Sequence, residues 1–147
     1  MKSWQKKIFF LILVLLLAGI AGVWYVFNEK FTDIAETKAL YTVNASDLIN
    51  EFQKDGALAN KKYAEKVITV KGTVSEVEKA DTIVNIKFSD SATRGFIIFA
   101  FQQKNVVDAR RLKEGDNISI KGSCSGGAYS EILETYFITF KRCALTK

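Results

Sequence analysis

Apolar and polar positions fall along this chain in three successive regimes. The first is an uninterrupted apolar run, Ile8 to Phe27 (IFFLILVLLLAGIAGVWYVF), 20 residues without a charge. At 1.5 Å rise per residue such a helix is about 30 Å long, the thickness of a bilayer's hydrocarbon core. A helix buried in a soluble core rarely runs so far without a polar face, so the pattern predicts a transmembrane helix over residues 8–27. The second regime, residues 28–41, is polar, mixed in charge and weakly periodic, and reads as a juxtamembrane stalk. The third, residues 42–147, is one domain in which short helical patterns give way to period-two alternation.

Within that domain Asn44-Ala-Ser-Asp47 looks like a helix start, with Asn44 as cap and Asp47 reaching back. Leu48 and Phe52 then share a face at i, i+4. Gly56 interrupts, and Ala57 to Glu65 forms a second short helix with Ala59 and Tyr63 on one side. These helices are expected to cover an open end of the sheet. From Lys66 the period becomes two: Ile68, Val70, Gly72 and Val74 alternate with polar residues, and Gly72 suggests a bulge or sharp coil. After a turn at Lys79-Ala-Asp81, a second strand (82–88) turns Val84, Ile86 and Phe88 inward. A third, Gly95 to Phe101 (GFIIFAF), is so apolar that it is expected to be buried on both faces. Asn105 to Leu112 reads as a helix with Val106, Ala109 and Leu112 inward. A turn at Glu114-Gly115-Asp116 starts the fourth strand, 117–122, with Ile118 and Ile120 inward. Ser125-Gly-Gly127 reads as a loop, and Thr135 to Arg142 is a fifth strand with Tyr136, Ile138 and Phe140 on one face. Five strands with a helix between the third and fourth is the connectivity of an OB-fold barrel, mainly β within an α+β class.

Charge adds direction. Lys2, Lys6 and Lys7 precede the apolar run with no acid among them, whereas Glu29, Lys30, Asp33, Glu36 and Lys38 beyond it are mixed. The positive-inside rule therefore keeps the N-terminus cytoplasmic and sends the domain across, with Trp24 and Tyr25 at the outer interface. A cleaved signal peptide is the competing reading, with Gly19-Ile20-Ala21 as its small-x-small site, but apolar sequence continues through Phe27. No cysteine follows the run to serve as a lipoprotein attachment site. Of the net charge of +5, three charges are the leading lysines; from Asn28 onward 18 Lys and Arg face 16 Asp and Glu. That small surplus is weak support for a phosphate-backbone binder.

Candidate chemistry is sparse. The chain has no histidine, hence none of the commonest general base or metal ligand. Gly126-Gly127 lacks the Lys-Ser/Thr of a phosphate loop, and two cysteines without histidine make no zinc site. Asp81, Asp90, Glu114 and Asp116 read as solvated turn residues. No enzyme, cofactor or metal is expected. A disulfide between Cys124 and Cys143 is left open: the compartment permits it, but a hairpin turning about residues 128–131 would set Cys143 opposite residue 114, and only a bulge or wide loop would restore the pairing.

Several short blocks, in order, resemble the tRNA_anti-like family: Asn44-Ala-Ser-Asp-Leu48, Ala59-Asn-Lys-Lys-Tyr63, Lys66-Val-Ile-Thr-Val70, Gly72-Thr-Val74, Leu112-Lys-Glu-Gly-Asp116, Ile120-Lys-Gly122, Cys124, Gly126 and a strand ending near Cys143. The stalk also resembles the membrane-tethered members, except that Lys30 and Phe31 replace their usual Pro and His. The resemblance implies a small OB-fold protein of the bacterial envelope. With the charge asymmetry it implies a single pass through the inner membrane and a periplasmic domain. It brings no catalytic motif. OB folds bind across strands two and three and adjoining loops, which singles out Lys87, Arg94, Phe96, Ile98 and Lys104. Tyr129, Arg110, Arg111 and Arg142 follow as second-tier candidates, on residue type and expected exposure alone. The plainer alternative packs Phe96 and Ile98 beneath the helices and leaves the cations as solubilising charges. The expected function is a non-catalytic, membrane-anchored binding module for an envelope protein, peptide or glycan. Single-stranded nucleic-acid binding is the alternative.

Overall fold

A computed structural model of the chain describes residues 3–27 and 33–146. The apolar run forms one helix, α1 (Ser3–Phe27), with no polar face over residues 8–27. It is long and apolar enough to cross a membrane, a test that a signal sequence near the N-terminus also meets.

The domain runs from Asp33 to the C-terminus. Of the expected stalk, residues 28–32, with Glu29, Lys30 and Phe31, lie outside the described residues. From Asp33 onward the chain is part of the domain rather than a free stalk. The Asp33 carbonyl accepts from the Glu36 and Thr37 amides at 3.0 and 3.1 Å, and Ile34 is buried. Lys121 Nζ donates to the carbonyls of Ala35 and Thr37 at 2.9 and 3.0 Å. The segment then enters β1 (Tyr41–Asn44), which pairs parallel to β2 (Val67–Thr73). Four residues are too few to display a period, so this strand was not visible in the pattern.

Asn44 stands at the N-cap of α2 (Ala45–Lys54) as expected, but its side chain donates to Asp47 Oδ2 at 3.0 Å and makes no bond to the helix backbone. Gly56 does not merely interrupt. It opens α3 (Gly56–Tyr63), capped by Asp55, whose carboxylate accepts from the Leu58 amide at 3.0 Å. Leu48, Ile49 and Phe52 of α2 are fully buried, each contributing about 1.5–3 kcal/mol of apolar burial. They plug one end of the barrel, as the amphipathic pattern suggested. There a Cβ added to Gly95 would lie 2.4 Å from Ile49 Cγ2, and one on Gly127 2.6 Å from the Phe52 ring.

The remaining elements are β3 (Glu76–Lys79), β4 (Ile83–Ser89), β5 (Phe96–Gln102), a 3-10 turn (Gln103–Asn105), α4 (Val106–Ala109), β6 (Asn117–Ser130) and β7 (Thr135–Leu145). The sheet order is β1-β2-β6-β7-β5-β4-β3. β2 and β3 are two halves of the predicted first strand, bent at Val74 and Ser75. The Val74 amide bonds back to Asp116 on the β6 side, and the Ser75 amide to Lys87 on β4. One bent segment thus borders both sides of the sheet and makes six strands of the five predicted, and β1, unseen in the pattern, is the seventh. Gly72 sits near this bend not as a bulge but as a close approach: a Cβ there would meet the Phe88 ring at 2.8 Å and Ala45 at 2.9 Å.

Two expectations fail in the last hairpin. Ser125-Gly-Gly127 is no loop, because β6 runs straight through it. Gly126 takes φ +106 at one of two bulges, between Cys124 and Gly126, and the other lies between Lys121 and Ser123. Asn60 of α3 holds this bulge, donating to the Gly127 carbonyl at 2.8 Å and accepting from its amide at 2.9 Å. The hairpin consequently turns after Ser130 and before Thr135, and Cys143 falls next to Ala144, the partner of Lys121, rather than opposite residue 114. Cys124 and Cys143 are both free and buried. The expected helix over 105–112 is shorter, although Val106, Ala109 and Leu112 are buried as its pattern required.

Candidate binding face

The GFIIFAF strand decides where a face exists. Rather than being buried on both sides, β5 alternates: Ile97, Phe99 and Phe101 have no exposed surface, while Phe96, Ile98 and Ala100 are half-exposed. The run looked two-faced because its outward residues are also apolar. An outward apolar row is unusual, since the solvated face of a sheet normally carries polar side chains.

The register extends that row across the sheet. Lys87 on β4 opposes Ile98 on β5, and Ile98 opposes Thr139 on β7. One rung away, Phe96 opposes Phe137, and their rings stack at 6.0 Å and 17°. Phe137 was not singled out from the sequence. The signal was there in the parity of β7, since Ile138 and Phe140 point inward and Phe137 and Thr139 must point out. A half-exposed strip of Phe96, Ile98, Ala100, Phe137 and Thr139 therefore spans two parallel strands.

Charges border this strip in pairs. Lys87 Nζ lies 4.6 Å from the Phe96 ring centroid and 3.2 Å from Glu76 Oε2, its cross-strand neighbour on β3. Arg94, in the β4–β5 loop with φ 58, lies 3.9 Å from Glu134, and Lys141 lies 3.4 Å from Glu65. Each of the three cations is matched by a carboxylate. Such exposed pairs contribute little to stability, but they leave the border close to neutral.

The other residues singled out from the sequence lie elsewhere. Lys104 belongs to the turn at the far end of β5, where it pairs with Asp33. At about 3.3 Å per strand residue it is more than 20 Å along the chain from Phe96. Arg110 donates to the carbonyls of Ala80 and Asp81 at 2.6 and 2.9 Å, fastening α4 to the β3–β4 turn. Arg111 is exposed beside it. Tyr129 is half-exposed and meets Tyr136 edge-on at 5.4 Å, beside the helices rather than on the strip. Arg142 takes φ 54 near the first bulge. Neither Phe96 nor Ile98 is among the half-buried residues packed on the core.

Chemistry elsewhere in the domain is quiet. Among the described residues no group of Cys, Asp and Glu is placed to hold a metal ion. Thr93 donates to Asp90 through its hydroxyl at 2.7 Å and its amide at 3.1 Å, which lowers the carboxyl pKa. Burial pushes the Cys124 thiol up to about 11 and Cys143 well above its ordinary value. The thiolate is the reactive form, so both cysteines should resist alkylation at neutral pH, with Cys124 labelling rising only as pH approaches 11 and both labelling once the domain unfolds. Iodoacetamide labelling read by mass spectrometry, with and without denaturant, checks this. Rapid labelling of the native protein at pH 7 would contradict the burial.

A lipoprotein from Klebsiella pneumoniae subsp. pneumoniae MGH 78578, whose name proposes nucleic-acid binding, matches over 71% of this chain and 91% of its own, at 18% identity and TM-score 0.57. An OBody bound to hen egg-white lysozyme matches over 58% and 86%, at 13% identity and TM-score 0.44. A replication factor A related protein from Methanobacterium thermoautotrophicum matches over 56% and 81%, at 17% identity and TM-score 0.41. At these identities the first likeness shows the fold alone. No curated protein matches the chain. The tRNA_anti-like family model matches residues 1–134, and with the barrel, its helical plug and the ordered sequence blocks all in place, this chain belongs to the tRNA_anti-like family.

Proposed function

We propose that this protein is a non-catalytic binding module, anchored in the bacterial inner membrane by α1 with its N-terminus cytoplasmic, whose OB domain captures a protein or peptide segment outside the cytoplasm. The observation that carries this reading is the half-exposed Phe96–Ile98–Phe137 strip bordered by cations that are already paired. Apolar, aromatic surface supplies most of the energy at protein–protein hot spots. A phosphate backbone instead needs unpaired cations in surplus.

Single-stranded nucleic acid is the second reading, favoured by Lys87 over the Phe96 ring beside the Phe96–Phe137 stack, since aromatic rings next to cations accept bases. One experiment separates the two. A photo-reactive phenylalanine analogue replacing Ile98 in the full-length chain, irradiated in intact cells, is expected to give an adduct that protease shortens and nuclease leaves unchanged. A nuclease-sensitive adduct would transfer the function to the second reading.

A further inference from the structure

On β3 the outward face of the sheet carries a carboxylate, Glu78, that no cation among the described residues pairs with. Register places Glu78 opposite Asn85 on β4, and Asn85 opposite Ala100 on β5. The Asn85 side-chain amide donates to Glu78 Oε2 at 3.3 Å, across the exposed side of the two strands. Val77, between Glu76 and Glu78, opposes the buried Ile86 and packs on the core. Glu76 and Glu78 therefore both point outward. The Glu78–Asn85–Ala100 rung runs beside the rung of Glu76, Lys87, Ile98 and Thr139. Through Ala100 it joins the apolar strip.

With Glu78 counted, charge around the strip does not cancel. Lys87, Arg94 and Lys141 are matched by Glu76, Glu134 and Glu65. Glu78 is a fourth carboxylate against those three cations, a surplus of one negative charge. Lys79, its neighbour in sequence, opposes the buried Val84 and leaves on the other face. Asn85 satisfies one oxygen of Glu78 without supplying a positive charge. The surface beside it is low, because Ala100 is the smallest of the half-exposed residues Phe96, Ile98 and Ala100. Adjacent strands lie about 4.8 Å apart, so Ala100 and Glu78 are about 10 Å apart across the rung. A lysine or arginine stem laid over Ala100 and Asn85 brings its charged head to Glu78, the way such side chains cover apolar surface while keeping the charge in water.

We infer, building on the capture of a polypeptide segment proposed above, that this segment is basic as well as apolar. Its apolar side chains seat on Phe96, Ile98 and Phe137, and a lysine or arginine beside them pairs with Glu78. An acidic segment would meet like charge there, and so would the phosphates of a nucleic-acid strand. Glu78 thus selects by repulsion as well as attraction. A charge on an edge strand also deters sheet extension, so affinity rather than solubility is the property to measure.

A random peptide library displayed on phage, panned on the full-length chain in lipid nanodiscs, tests it once binders that the Phe96→Ala variant retains equally are discarded. The remaining peptides are expected to combine apolar residues with a surplus of lysine and arginine. Synthetic copies should bind the Glu78→Lys variant about fivefold more weakly than the native chain, the scale of an exposed ion pair. High salt should shrink that difference. Glu131→Lys makes the same change of net charge at the exposed β6–β7 turn and should leave affinity unaltered. Phe96-dependent peptides with no basic surplus, or with equal affinity for the native chain and Glu78→Lys, would overturn the inference and leave capture by the strip standing. A selection that yields no Phe96-dependent peptide would overturn both.

Discussion

Phe99→Ala is expected to destabilise the domain by about 3–5 kcal/mol, the range for removing a fully buried aromatic side chain. Phe99 has no exposed surface and lies between Phe88 at 4.8 Å and Phe140 at 4.9 Å. Truncation leaves a void that two flanking rings cannot fill without abandoning contacts to β4 and β7. Small domains are stable by only about 5–15 kcal/mol, so the variant would sit near the edge of folding. With a urea slope of about 2 kcal/mol per M, the midpoint should fall by roughly 2 M. Far-ultraviolet circular dichroism is the right readout, because both tryptophans, Trp4 and Trp24, belong to α1 and the barrel contains none. Phe96→Ala, three residues earlier and half-exposed, should cost markedly less. Equal losses at 96 and 99 would mean that β5 is not one-faced.

The second large effect is on binding. Phe96→Ala and Phe137→Ala are each expected to weaken capture of the segment that cross-links at position 98 by about 2 kcal/mol, near thirtyfold, as for aromatic hot spots. Their stacked rings form the largest half-exposed apolar element of the strip. Lys87→Ala should change affinity much less, because Glu76 already holds the ammonium. Titration of the purified variants in detergent, with the captured protein as ligand, reads these differences. If Lys87→Ala proved as harmful as Phe96→Ala, and affinity fell steeply with salt, the face would be gripping phosphates rather than a polypeptide.

These expectations rest on parity in β5 and β7, which was only half visible beforehand. Inward positions Val84, Ile86, Phe88, Ile138 and Phe140 were legible because polar or smaller residues alternate with them. In GFIIFAF alternation is hidden, since Phe96, Ile98 and Ala100 are as apolar as their buried neighbours. Hydropathy cannot tell a strand covered twice from one with an apolar outer face; only the location of neighbouring elements can. Phe137 differs: the parity that turns Ile138 and Phe140 inward already turns it outward, but an aromatic ring was not read as surface.

The last hairpin shows a different limit. Ser125-Gly-Gly127 carries the usual turn signal, yet the glycines serve a bulge held by Asn60 and leave room for the Phe52 ring. Both partners are more than sixty residues away in sequence, so no local reading could weigh them. Misplacing the turn shifted the register, and with it the position of Cys143. Likewise Lys104 was grouped with Lys87 because both stood close to one strand, while its actual partner is Asp33.

What the chain determines by itself is what short-range patterning encodes: a charge-free helix of membrane-spanning length, the order of helices and strands, most inward-facing side chains, and the family blocks that identify the barrel. The bend that makes two strands of one, the docking of Asp33–Thr37, the bulged register of β6 on β7 and the outward aromatic strip were decided only in three dimensions. Each depends on contacts between residues far apart in sequence, and the free energy of those contacts overrides local turn and strand preferences.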